Sequence, residues 1–186
     1  MIKSLGLPFD FEGVASAELR DAQLQTLNVV PNTGMVVTTD IGDINDIHPR
    51  KKQEVGRRLA LLALHNDYNK VEEEYSSPLF QSSKAEGKAM ILSFDHVKEL
   101  VSRGNEIIGF TIAGKDRVFV KAKAEIVNGN QVKVWSEKVK QPLAVRFGWS
   151  NALVTNLFNE VRLPVSPFKT DNWKYTTEGN IYLDYP

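Results

Sequence analysis

The chain has 186 residues, 42% of them hydrophobic and 25% charged, which suits one globular domain or two small ones. Its 23 basic and 23 acidic residues cancel, so no net field draws it to nucleic acid or an anionic membrane, and no apolar stretch is long enough to span a bilayer. The absence of cysteine removes disulfides, thiol nucleophiles and thiolate metal sites together.

The opening Met1-Ile2-Lys3-Ser4-Leu5-Gly6-Leu7-Pro8 lacks the long apolar region of a signal peptide. From about Ser16 to Leu27, Leu19, Ala22 and Leu27 recur at helical spacing, and Pro31-Asn32-Thr33-Gly34 ends the pattern. Met35-Val36-Val37-Thr38 reads as a short strand. It empties into the acid-rich loop Asp40-Ile41-Gly42-Asp43-Ile44-Asn45-Asp46-Ile47-His48-Pro49. A basic amphipathic helix follows over about Arg50 to Asn66, with Val55, Leu59 and Leu62 on one face and Pro49 suited to its first turn. Helix, strand, loop, helix is an α/β order, but one strand cannot make a sheet. Residues 1–75 therefore read as the C-terminal part of an α/β domain whose other strands lie elsewhere.

Beyond Glu72-Glu73-Glu74 the period changes to two. Met90, Leu92 and Phe94 form one alternating set, Ile108, Phe110 and Ile112 the next, then Val118, Val120 and Ala122. Asn128-Gly129-Asn130 between two apolar runs signals a hairpin through residues that accept positive φ, and Leu143–Phe147 is a further strand. Short strands without intervening helices predict an antiparallel β-sandwich over residues 78–186.

Chemistry in open α/β sheets collects beyond the carboxyl ends of strands, which singles out His48. A neutral imidazole can take a proton from a serine hydroxyl and return it to a leaving group. The positive end of the following helix disfavours imidazolium, while a nearby carboxylate favours it. Asp43 and Asp46 are placed to orient the ring, although Asp46 equally suits a helix or turn cap. As the bland alternative, His48 is itself a surface cap. A metal site from Asp40, Asp43, Asp46 and His48 is a third possibility, but the EF-hand spacing and its closing Glu are absent. His65 fits a helix C-terminus, and His96 follows Ser93-Phe94-Asp95 at a surface loop. Trp135, Trp149 and Trp173 suit core packing better than sugar stacking.

In collinear order, Leu19-Arg20-Asp21-Ala22-Gln23, Pro31-Asn32-Thr33-Gly34-Met35, Asp40-Ile41-Gly42-Asp43, Asp46-Ile47-His48-Pro49 and Val55-Gly56-Arg57-Arg58-Leu59-Ala60 resemble the C-terminal part of sialate O-acetylesterases. So do Ser93-Phe94-Asp95, Val145-Arg146-Phe147-Gly148-Trp149 and the run Leu163 to Asp171. These are carbohydrate esterases of the SGNH (GDSL-like) superfamily. The resemblance implies an SGNH, flavodoxin-like α/β remnant joined to the β-sandwich. It also implies removal of O-acetyl groups from sialic acid or a related sugar by Ser-His acyl transfer, with no cofactor. His48 falls on the base. The superfamily's usual aspartate three residues before the histidine is Asn45 here, so Asp46, preferred, or Asp43 would substitute, and a backbone carbonyl would also serve.

The family's nucleophile sits in a Gly-x-Ser-Asn motif near the start of the α/β domain, upstream of these segments. Gly148-Trp149-Ser150-Asn151 is a lookalike in the predicted sandwich, where the family carries a structural Gly-Trp segment. Leu7-Pro8-Phe9-Asp10 resembles the interior of the esterase domain, so the chain reads as a C-terminal portion that supplies the histidine but not the serine. By the same resemblance its partners are an acetylated sugar in the complete enzyme and the missing N-terminal segment, or a second copy of itself. The compartment would be extracellular or periplasmic. The alternative from another class is a non-catalytic carbohydrate-binding or structural β-sandwich module.

Overall fold

A computed structural model describes residues 13–44, 46, 48–70, 75–152 and 154–179. The Leu7–Asp10 segment, Asn45 and the Glu72–Glu74 run lie outside these described residues.

The first helix, α1 (Ala15–Val29), carries Val14 at its N-cap position, which has no side chain to offer. Asn151 substitutes from far along the chain, its Oδ1 accepting the Ser16 N–H at 2.7 Å. The buried face is Ala17, Glu18 and Asp21, with Leu24 packed on the main core. This corrects the expected Leu19/Ala22/Leu27 stripe, since Leu19 is 54% exposed and Ala22 is also exposed. The reason is that both buried carboxylates find donors. Thr176 and Thr177 each give Glu18 a backbone N–H and a hydroxyl, and the Tyr175 hydroxyl donates to Asp21. A satisfied carboxylate can occupy a face that periodicity would reserve for leucine.

Met35–Thr38 has no regular secondary structure and pairs with no strand among the described residues, correcting the expected β-strand. Its polar groups are satisfied differently. Arg58 takes the Val37 carbonyl, and Ile41 N–H donates to Thr38 O at 3.2 Å. The second helix, α2 (Lys52–Asn66), begins after a backbone turn in which Lys52 N–H reaches Arg50 O, so Pro49 lies before the helix and not in its first turn. Arg58 and Leu62 are buried, whereas Leu59 is 51% exposed and does not share their face as expected. The part read as α/β is thus two helices with no sheet of their own among the described residues.

Among the described residues ten strands follow: β1 (Leu79–Glu86), β2 (Ala89–Asp95), β3 (Leu100–Ser102), β4 (Phe110–Ala113), β5 (Val120–Lys121), β6 (Lys123–Asn128), β7 (Gln131–Trp135), β8 (Ala144–Phe147), β9 (Leu157–Asn159) and β10 (Phe168–Lys169). They pair antiparallel into two four-stranded sheets, β1-β2-β7-β6 and β10-β8-β4-β5, and a two-stranded β3-β9 sheet. The four-stranded sheets share one core. Leu92, Phe94, Val132 and Val134 from one meet Ile112, Val145, Phe147 and Phe168 from the other. Phe80 stacks on Phe168 with centroids 4.6 Å apart.

The β6–β7 hairpin forms where expected, for a different reason. Neither Gly129 nor Asn130 has positive φ. A Cβ on Gly129 would instead lie 2.4 Å from the Lys98 carbonyl oxygen, so only glycine fits. The turn is docked on the β2–β3 loop by Leu100 N–H to Gly129 O and Phe94 N–H to Asn130 O.

Around one small cavity, Met35 and Val36, Arg58 and Leu62 of α2, and Tyr75 and Leu163 of the β-rich region come together. Among the described residues no helix is long and apolar enough to cross a membrane.

Candidate active site

The loop that ends in His48 starts from a buried ion pair. Arg58, 3% exposed, extends from α2 toward the chain just before the loop. Its Nη1 and Nη2 bind the two oxygens of Asp40 at 2.7 and 2.8 Å, and Nη1 also donates to Val37 O. The Nε donates to Glu54 one turn back at 2.9 Å, so every edge of the fork has an acceptor. Burial opposes the Arg58 charge, but hydrogen bonds and charge from Asp40 and Glu54 outweigh it and favour the guanidinium. Glu54 is pulled down to about 2, chiefly by its hydrogen bonds with Arg57 and, against some opposing burial, Arg58. Asp40 is therefore committed to holding the loop, and among the described residues no group of three or more potential metal-binding side chains converges.

Beyond the buried Ile41, Gly42, Asp43, Ile44, Asp46 and His48 are exposed. One oxygen of Asp46 does two things there. It accepts the His48 backbone N–H at 2.8 Å, an Asx-type turn, and lies 3.2 Å from the ring Nδ1. The capping and ring-orienting readings of Asp46 are thus the same contact. An ionised Asp46 favours the neutral tautomer that carries its proton on Nδ1, and in that tautomer Nε2 is the acceptor. The His48 side chain is 75% exposed and that of Asp46 51%, so the ring faces open space. Asp43 is exposed on the same loop. A shallow groove at the start of α2 is lined by Arg50, Lys51, Gln53, Glu54, Gly56, Arg57 and Ala60, with Arg57 paired to Glu54 inside it.

Ser150 belongs to a different piece of machinery. Its hydroxyl donates to Ala152 O at 3.0 Å, and its carbonyl accepts from Arg20. With Asn151 at the α1 N-terminus, the Gly148–Asn151 segment is a seat for that helix. The tryptophans pack. Trp149 covers Arg146, which also lies 4.2 Å from the Phe119 centroid and pairs with Asp171 at 2.8 and 2.9 Å. Trp173 meets Phe119 at 5.4 Å, and Trp135 lies under Lys133.

His65 and His96 prove to be linked. His65 stacks on Tyr75 with centroids 3.4 Å apart, and Tyr75 meets His96 edge-on at 5.8 Å, joining the end of α2 to the end of β2. Sequence reasoning missed this junction and the Arg58 fork. The one available signal for the fork was an arginine placed four residues after Glu54 on an otherwise core-facing stripe.

No protein-family model matches the chain, and no curated protein does. Among solved structures it is similar to a carbohydrate acetylesterase from Xanthomonas citri, at 44% identity over 82% of this chain with a TM-score of 0.76. The match covers 35% of that enzyme, so the chain spans about a third of its length. At this identity the two are related, and the relationship is to a carbohydrate esterase.

Proposed function

We propose that this chain is part of a carbohydrate esterase that removes O-acetyl groups from a sugar by acyl transfer, with His48 as general base and Asp46 orienting it. The observation that carries this reading is the 44% identity to a carbohydrate acetylesterase across 82% of the chain. The residue assignment is supported by the Asp46 contact at Nδ1, which leaves Nε2 free to accept a proton. The nucleophilic serine and the oxyanion donors come from residues outside this chain, in keeping with its span of a third of that relative. Asp43, on the same loop, is the second choice for orienting the ring. Residues 1–75 are the tail of the SGNH-type esterase domain and residues 78–186 a β-sandwich appended to it.

Sialic acid, a carboxylated sugar, is the substrate preferred within this class. Arg50 and Lys51, which follow His48 closely in the chain and line a groove with the Glu54–Arg57 pair, support an anionic substrate. No cofactor takes part in this route.

A chromogenic acetyl ester tests the reading. The pure chain turns over little or none of it. Supplying an α/β segment that carries the serine restores turnover, and His48→Ala then lowers it by about 10²- to 10⁴-fold, the usual contribution of a general base. Hydrolysis by the chain alone, abolished by both His48→Ala and Ser150→Ala, would overturn the division of labour.

A further inference from the structure

We infer that residues 171–178 form a strap that acid releases while the sheets beneath it stay folded. The strap leaves β10 beyond Lys169 and crosses to α1. It belongs to no sheet among the described residues, yet its exposure alternates. Asp171, Trp173, Tyr175 and Thr177 are half-buried, and Asn172, Lys174, Thr176 and Glu178 are exposed.

Its fastenings share one chemistry. Asp171, its side chain 2% exposed, accepts two hydrogen bonds from Arg146 of β8 at 2.8 and 2.9 Å and the Trp173 N–H at 3.2 Å. Tyr175 donates its hydroxyl to Asp21 of α1. Thr176 and Thr177 give Glu18, one turn earlier, two backbone N–H and two hydroxyl donors. Each of these bonds ends on a carboxylate. A further bond to the body, Lys169 Nζ to Trp173 O, is long at 3.4 Å. The other charged groups that touch the strap are Arg117, over Trp173, and Lys169 again, over Tyr175. Lys174 and Glu178 pair with each other, and Arg20 of α1 donates instead to the Gly148 and Ser150 carbonyls.

Hydrogen bonds to an ionised group are roughly twice as strong as neutral ones. Protonating a carboxylate removes that charge and puts a hydrogen on an oxygen that was accepting. Burial works against the Glu18 charge, but the bonds from Thr177 and Thr176 outweigh it and hold the carboxyl below the usual range. The Glu18 fastening is therefore complete above about 4.5 and is lost as pH falls through its lowered value. Tyr175 is held above its ordinary range, first by burial and then by Asp21, so its hydroxyl stays a donor throughout. The core below is apolar, with Ile112, Val145, Phe147 and Phe168 in it, and acid leaves those side chains unchanged.

Backbone order parameters of the ¹⁵N-labelled chain test this, read at neutral pH and at about pH 3, below the ordinary carboxylate values. At neutral pH the strap should match β2 and β7 at about 0.85, and in acid it should fall below about 0.6 while β2 and β7 keep theirs. Glu18→Gln combined with Asp21→Asn, which imitate the protonated side chains, should free the strap at neutral pH. Thr176→Val combined with Thr177→Val, which leaves α1 intact, should also lower its order there. A strap still ordered in acid, in a chain whose sheets are folded, overturns the inference. So does a single transition in which strap, β2 and β7 loosen together. A strap that stays ordered in both folded double variants overturns the part given to the α1 carboxylates, and the inference with it.

Discussion

Glu54 sits between two arginines, and that placement sets how the chain answers acid. Its carboxyl is held at about 2 against an ordinary value of 4.5, so the folded state binds its proton less readily than the unfolded chain does. The stability this contributes is fully present above about 4.5 and is lost as pH falls from there through about 2. Glu18 acts in the same sense by another balance: burial would raise its carboxyl, but hydrogen bonds from Thr177 and Thr176 hold it below the usual range. Melting temperature measured in steps across this acid window should fall for the wild type and fall less for Glu54→Gln. An unchanged acid slope in that variant would remove Glu54 from the explanation. At this scale the sequence showed His48 and its two aspartates, because a lone histidine in an acidic loop is chemically conspicuous. It did not show that Asp40 serves Arg58, since an ion pair across 18 positions leaves no local pattern. Asn45 stands where the resemblance led to the expectation of an aspartate, and the next residue, Asp46, is the carboxylate that does reach the ring.

Among elements, α1 depends most on residues remote from it. Val14 offers no cap, and Asn151 supplies one from 135 positions away. Asn151→Ala should destabilise the seated helix by about 1 kcal/mol, the usual cost of a lost cap. Amide exchange should quicken in the first turn of α1 while β2 and β7 stay protected, and uniform exchange across the chain would deny the cap its local role. Both helices were legible from apolar spacing, yet their buried faces were not. The stripe that packs inward in α1 contains Glu18 and Asp21, and periodicity counts carboxylates as solvent-facing. Met35–Thr38 looked like a strand because its residues favour extended backbone, but a strand needs a neighbour to pair with. The strands of the β-rich region were easier to read, since Leu92, Phe94, Val132 and Val134 alternate inward as one buried face demands.

For the whole molecule, the outer sides of the helices are the unfinished part. Leu19, Val29 and Val30 on and after α1, and Leu59 and Leu64 on α2, remain exposed, with Val29 at 76%. We propose that the occupant of this surface is an upstream esterase segment that carries the serine, or a second copy of this chain when that segment is missing. Gel filtration over rising concentration should show self-association of the isolated chain. Adding the serine-bearing segment should replace it with a defined complex. A single monomeric peak at high concentration, unchanged by that segment, contradicts the docking. The sheet order β1-β2-β7-β6 and the shared core were beyond sequence reading, because they depend on pairings between distant strands and not on any local signal.

The grip of Thr176 and Thr177 on Glu18 spans 158 and 159 positions, and it carries a consequence for birth order. During synthesis α1 emerges long before the residues that hold it. Its seat stays incomplete until Thr176 and Thr177 have left the ribosome. Its two acidic side chains spend that interval in water, so what the wait leaves bare on that side is chiefly Ala17 and Leu24.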